Sequence, residues 1–233
     1  MSSPVQDVLD RLFSLDANDR VKAANEIGEL GTPNEAPTVL KVVYEDEAST
    51  VRQMAIQSYY EIMKQDAFDE LKKVVNTHSD DYVKIYALSV LEKFPSTQTE
   101  ELFTSGLQSD NPRIRATVTR AILHANSMMF GEKLLDLLNT EKDNLVLRNI
   151  LESFALWKYK PSKNKLMNLL ESDSNIPEDP ELLTMLLFAL AALGEKSALK
   201  RLQEEDVDEF IRIKYKNEMF RGKQGLLELL KQI

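Results

Sequence analysis

The sequence predicts an all-α solenoid of about seven stacked two-helix repeats, and three observations carry that reading. A pair made of an aliphatic residue followed by a basic one recurs along the chain. Apolar residues around each pair keep helical spacing. The composition is poor in the residues that tight turns require, with only 7 Gly and 8 Pro in 233 residues.

The recurring pairs are Val21-Lys22, Val51-Arg52, Val83-Lys84, Ile114-Arg115, Leu147-Arg148 and Ile211-Arg212, with a degenerate Leu183-Thr184 filling the gap. Their first members, at 21, 51, 83, 114, 147, 183 and 211, lie 30, 32, 31, 33, 36 and 28 residues apart. Four positions after each comes a small or apolar residue: Ala55, Ala87, Val118, Leu151, Leu187 and Tyr215, with Asn25 beside Ala24 in the first repeat. Residues i and i+4 share a helix face, so each pair marks the first helix of a unit. Asn111-Pro112 and Asp179-Pro180 place a capping side chain before a proline whose missing N–H costs nothing there. Asp81 and Asp208 stand where an acid favours the helix dipole, and Leu30-Gly31 with Pro33 ends the first helix.

A second helix follows in each unit, marked by paired apolar residues, as in Val39-Leu40-Lys41-Val42-Val43 and Leu134-Leu135-Asp136-Leu137-Leu138. The expected organisation is one solenoid, with a capping helix in 1–15 and repeats at 16–45, 46–77, 78–108, 109–140, 141–172, 173–204 and 205–233. A lone hairpin cannot bury its apolar stripe, so the units are expected to stack into a continuous core.

The stretch Asp19-Arg20-Val21-Lys22-Ala23-Ala24-Asn25-Glu26-Ile27-Gly28-Glu29-Leu30-Gly31 resembles the first helix of the short HEAT-like repeat of bilin-lyase-type proteins, and Pro33 to Glu45 resemble its second. The resemblance is strongest in the first four units and weaker from Leu147 onward. It implies an Asp–Arg ladder between repeats, in which Arg52, Lys84, Arg115, Arg148 and Arg212 bridge to acids such as Asp81, Asp110 and Asp143. It speaks for fold and barely for function, since HEAT repeats serve scaffolds, adaptors, lyases and some nucleic-acid enzymes.

Catalytic chemistry finds little to stand on. Cysteine is absent, which excludes disulfides, thiolate metal sites and cysteine nucleophiles. His78 and His124, the only histidines, lack metal-ligand spacing and read as surface or capping residues. No glycine-rich phosphate loop or Gly-x-Ser-x-Gly elbow occurs, so no catalytic residue, metal or cofactor is expected. The N-terminal residues lack a secretory pattern, and the most apolar run, Leu182 to Leu193, is far shorter than the ~20 residues of a membrane span. A cytoplasmic protein is therefore expected.

Two candidate binding surfaces remain. The middle residues of the paired-apolar motifs, Lys41, Lys73, Thr104, Asp136, Asn168, Lys200 and Glu228, should point outward and line the concave face. A secondary patch interleaves aromatics and lysines in a loop: Trp157, Lys158, Tyr159, Lys160, Lys163 and Lys165. Met128-Met129-Phe130 reads as packing. With a net charge of −9 and a mixed-sign row, a protein or peptide partner is favoured over nucleic acid, which asks for a uniformly basic track. The leading expectation is a non-enzymatic adaptor or scaffold. A lyase or chaperone-like subunit for a tetrapyrrole-bearing protein is the alternative, and a nucleic-acid-binding solenoid the weaker one.

Overall fold

The computed structural model describes residues 3–171, 179–204 and 210–233. The chain divides into two compact units, residues 1–121 and 122–233. Asp208 lies outside the described residues.

In the first unit, α1 (Pro4–Arg11) leads into three helical hairpins and most of a further helix. The hairpins are α2 (Ala17–Leu30) with α3 (Ala36–Glu45), α4 (Ser49–Met63) with α5 (Phe68–Thr77), and α6 (Asp81–Leu91) with α7 (Ser96–Leu107); α8 (Pro112–His124) follows. Ser3 caps α1 by accepting from the Gln6 N–H, with Pro4 at the first helical position. Helix α4 packs on α2, α3 and α6, so its apolar face is covered on several sides. Ala23, Ala55, Ala87 and Val118 are fully buried at intervals of 32, 32 and 31 residues, which lets first helices approach closely.

That interval corrects the sequence register of the first repeat. The residue equivalent to Arg52 is Arg20, not Lys22, and Lys22 is exposed. Arg20 Nη1 donates to the carbonyls of Ser14 and Leu15, at 2.9 and 3.4 Å. Arg52 repeats the arrangement on Asp46 and Glu47, and Arg115 on Ser109 and Asp110. Each arginine thus closes the loop five and six residues before it, satisfying carbonyls that no helix uses.

The other edge of the guanidinium reaches the loop that leads into the next hairpin. Arg20 meets Asp46 through Nε and Nη2 at 2.7 and 3.1 Å, both side chains being 7% exposed, and Arg52 pairs with Asp80. Asp80 caps α6 by accepting the Tyr82 N–H at 2.8 Å, whereas Asp46, at the end of α3, accepts that of Ala48, the residue before α4, at 2.9 Å. The ladder expected from the resemblance therefore exists, but with different acids. Among the described residues Asp81 pairs with Lys84 on its own helix and accepts from Asn111, while Asp143 caps a helix through the N–H groups of Leu145 and Val146. The N-cap geometry explains the shift: the capping acid, one residue earlier than Asp81, is the one that turns toward the preceding hairpin.

The second unit contains the end of α8 and the helices α9 (Gly131–Leu137), α10 (Asn144–Trp157), α11 (Lys163–Glu171), α12 (Pro180–Ala192) and α13 (Lys196–Glu204). Helix α12 is buried along most of its length and packs on α10 and α13. Arg148 on α10 continues the ladder chemistry, with Nε 2.6 Å from Glu181 on α12.

The last predicted repeat is not two helices. After Ile211 come β1 (Arg212–Tyr215) and β2 (Glu218–Arg221), an antiparallel hairpin, and then α14 (Gly222–Gln232). The Ile211-Arg212 pair satisfied the helical test through Tyr215, but its neighbours alternate strictly. Ile211, Ile213 and Phe220 are buried while Arg212, Lys214 and Arg221 are exposed, which is strand periodicity. Lys216 and Asn217 take positive φ of 46° and 69°, the two-residue turn that fits the twist of the hairpin. Arg212 accordingly lies in a strand and joins no ladder.

The ladder makes a pH prediction. Burial disfavours the Asp80 carboxylate, yet Ser49, Arg52 and the Tyr82 N–H outweigh it and hold its pKa down at about 2. A lowered folded pKa stabilises above the unfolded value near 3.8, and the gain is lost as pH falls toward 2. Asp80→Asn, which keeps a cap, should cost on the order of 2 kcal/mol at pH 7 in urea unfolding. The gap should close between pH 4 and pH 2; a gap independent of pH would contradict the assignment.

Candidate functional site

Lys41 on α3 and Lys73 on α5 are exposed, and each is organised in the same way. Lys41 pairs with Glu45 at 3.7 Å and lies over the Phe13 ring, with Nζ 5.8 Å from its centroid. Lys73 pairs with Glu70 at 2.8 Å and lies over Tyr44 at 5.4 Å. Tyr44 in turn donates to Glu70 at 3.0 Å and stacks on His78. The sequence row missed these rings, because Phe13 and Tyr44 come from preceding elements and lie outside the motif.

Thr104 departs from the pattern. On α7 the buried stripe is Thr99, Phe103 and Leu107 at i, i+4 and i+8, which turns Glu101 and Ser105 outward and Thr104 to the flank. Its hydroxyl is shielded and finds no partner among the described residues. In the second unit Asp136 on α9, Asn168 on α11, Lys200 on α13 and Glu228 on α14 are all exposed, and Lys200 meets Glu204 at 3.9 Å.

The secondary patch is largely turned inward. Trp157 is the last residue of α10 rather than a loop residue, and it is 8% exposed. Its indole N–H is buried with no partner among the described residues. Lys158 ends the helix in the left-handed conformation, φ 48°, which lets the chain turn. Tyr159 stacks on Phe154, centroids 5.3 Å apart, and donates to Glu132 at 2.6 Å. Lys163 pairs with Glu195 at 3.3 Å, Lys165 is half-buried, and Lys158 and Lys160 are exposed. The apolar rings of this segment bury themselves because Gly131 leaves room for one of them.

Three further expectations meet the geometry differently. His78 is buried at the end of α5, accepting the Asp80 N–H on Nδ1 at 3.0 Å and therefore donating Nε2–H to the Val43 carbonyl at 3.2 Å. It caps one hairpin against another, and His124 is exposed. Met128 and Met129 are half-exposed rather than packed, while Phe130 is fully buried. Among the described residues no group of His, Cys, Asp or Glu is placed to hold a metal, and no helix is long and apolar enough to cross a membrane.

Residues 5–91 match the family model of HEAT repeats. The match covers α1 to α6, the region that holds Arg20 and Arg52 and the inward Ala23, Ala55 and Ala87. No curated protein matches the chain in sequence. Among solved structures, an engineered protein is similar at 18% identity and TM-score 0.46, covering 84% of this chain and 100% of its own. The complex of CpcE and CpcF of phycocyanin lyase from Nostoc sp. PCC7120 is similar at 15% identity and TM-score 0.39, covering 85% of this chain and 96% of its own. At that level neither bears on function.

Tyr159 can be tested directly. Burial, then the hydrogen bond and charge of Glu132, push its phenol up to about 12. A raised folded pKa stabilises below the unfolded value near 10, and that gain is lost as pH rises toward 12. A Cβ on Gly131 would stand 2.5 Å from the Tyr159 ring, so Gly131→Ala should displace it and cost about 1–3 kcal/mol. In an ultraviolet titration the late phenol lost in Tyr159→Phe should move to lower pH in Gly131→Ala; an unmoved titration would show the ring is not seated there.

Proposed function

We propose that the protein is a non-enzymatic interaction scaffold that holds a protein or peptide through the outward residues of its second helices. The observation that carries this is the repeated construction at Lys41 and Lys73: a lysine over an aromatic ring from earlier in the chain, Phe13 before α2 and Tyr44 on α3, paired to a glutamate of its own helix. Such a surface offers apolar contact, a cation and an acid side by side, with side chains already restrained before a partner arrives.

Charge narrows the partner. Residues 1–121 hold 13 Lys and Arg against 20 Asp and Glu, a balance of −7, and residues 122–233 hold 16 against 18, a balance of −2. An acidic first unit attracts basic protein surfaces and repels a phosphate backbone. The HEAT-repeat match over 5–91 supports a scaffold in the same unit.

The expected result is that native protein retains a partner from extract and that Lys41→Ala/Lys73→Ala reduces its recovery at least about tenfold, a change of roughly 1.4 kcal/mol. Equal recovery by the two proteins, or turnover of a small molecule by the purified chain, would contradict the reading.

A further inference from the structure

The β1–β2 hairpin of the second unit holds four basic residues, Arg212, Lys214, Lys216 and Arg221, against one acid, Glu218, which lies on the other face from Arg212, Lys214 and Arg221. Its buried face carries Ile213 and Phe220, and its outer face carries Arg212, Lys214, Met219 and Arg221. Arg212 stands directly opposite Arg221 in the register, an arrangement that costs a hairpin stability because like charges face each other. Neither arginine, nor Lys214, meets a carboxylate among the described residues. Met219, half-exposed opposite Lys214, adds an apolar contact to the same face.

The backbone of β1 adds a second feature. Gly222 donates to the Ile211 carbonyl at 2.9 Å, so 211/222, 213/220 and 215/218 are the hydrogen-bonded pairs of the ladder. The N–H and C=O of Arg212 and Lys214 therefore point away from β2. Arg148 on α10 donates to the Arg212 carbonyl at 2.8 Å, which places that edge toward α10. At Lys214 the edge opens on a cleft of about 540 Å³, walled by Leu156 and Trp157 of α10 and by the hairpin turn. The one carboxylate lining the cleft, Glu152, is nearly buried and lies 3.9 Å from the Arg148 guanidinium, which offsets its charge.

We propose that this hairpin binds an acidic peptide segment of a partner protein in extended conformation. Its backbone pairs with the N–H and C=O of Lys214, an apolar side chain enters the cleft against Leu156, and its carboxylates meet Arg212, Lys214 and Arg221. An open strand edge recognises main chain, and alternate side chains supply selectivity. A nucleic acid would satisfy the charge but has no peptide backbone to pair with the edge. The site is separate from the outward residues of the second helices and stands independently of them.

The test uses the full chain and a fluorescently labelled peptide of alternating Glu and Val, read by anisotropy at moderate salt. Arg212→Gln/Arg221→Gln should weaken binding at least about tenfold. The same variant should hold or raise the melting temperature, because the facing positive charges are gone. Lys214→Pro should weaken binding several-fold beyond Lys214→Gln, since both remove the charge and only proline removes the outward N–H; an edge position tolerates it. Lys41→Ala/Lys73→Ala should leave this binding unchanged even if it abolishes recovery of another partner. Unchanged affinity in the double arginine variant would overturn the site. So would tighter binding of an RNA oligonucleotide of equal charge, or equal loss with Lys214→Pro and Lys214→Gln. Failure of the peptide to bind, with concentration-dependent self-association lost in the double arginine variant, would assign the hairpin to a second copy of this chain instead.

Discussion

One side chain does two jobs at the first two junctions: an arginine, Arg20 and then Arg52, closes the loop behind it and holds an acid placed just before the next hairpin. Arg20 shows it most completely, with loop carbonyls on one edge and Asp46 on the other. The pair is almost fully buried, and its charges are compensated by one another, by the loop carbonyls and by Glu47, 3.2 Å from Arg20 Nη2. Replacing either partner alone leaves an uncompensated charge. Such a contact specifies which hairpin sits on which, beyond what nonspecific burial of Ala23, Ala55 and Ile27 would do. The first helices must approach closely for the arginine to reach, and small residues on the inward face permit that approach.

This constraint explains what the sequence made legible. The spacing near 32 residues was readable because Arg52, Lys84, Arg115 and Arg148 are conspicuous beside aliphatic neighbours. The first repeat was misregistered by two residues because Val21-Lys22 imitates the motif, while the true arginine follows Asp19, which is not aliphatic. Which acid completes each bridge was not readable, since Asp80 and Asp81 are adjacent and only the cap geometry decides between them. The final element was misread for a related reason. Ile211, Ile213 and Tyr215 fit strand alternation and helical spacing at once over so short a run.

The outward residues were legible where the buried stripe keeps a regular pattern, as around Lys41 and Lys73. At Thr104 the stripe runs through Thr99, a polar residue in a buried position, and a hydropathy reading slips by one. The rings beneath the two lysines, Phe13 and Tyr44, could not be found from spacing at all, because they reach across from neighbouring elements. Trp157 and Tyr159 illustrate the opposite error. Aromatics among lysines suggested an exposed patch, yet Gly131 and Phe154 provide a seat for Tyr159, and helix α10 extends far enough to bury Trp157.

The central claim is that the buried arginine and the acid just before the next hairpin act as one unit. A double-mutant cycle on Arg20→Met and Asp46→Asn, followed by urea unfolding at neutral pH, tests it most directly. Each single change should cost about 3–5 kcal/mol, because it strands a buried charge or a set of donors. The double variant should cost less than the sum by at least about 2 kcal/mol. Additive losses, or singles that cost no more than an exposed ion pair, would show that the hairpins are held by apolar packing alone.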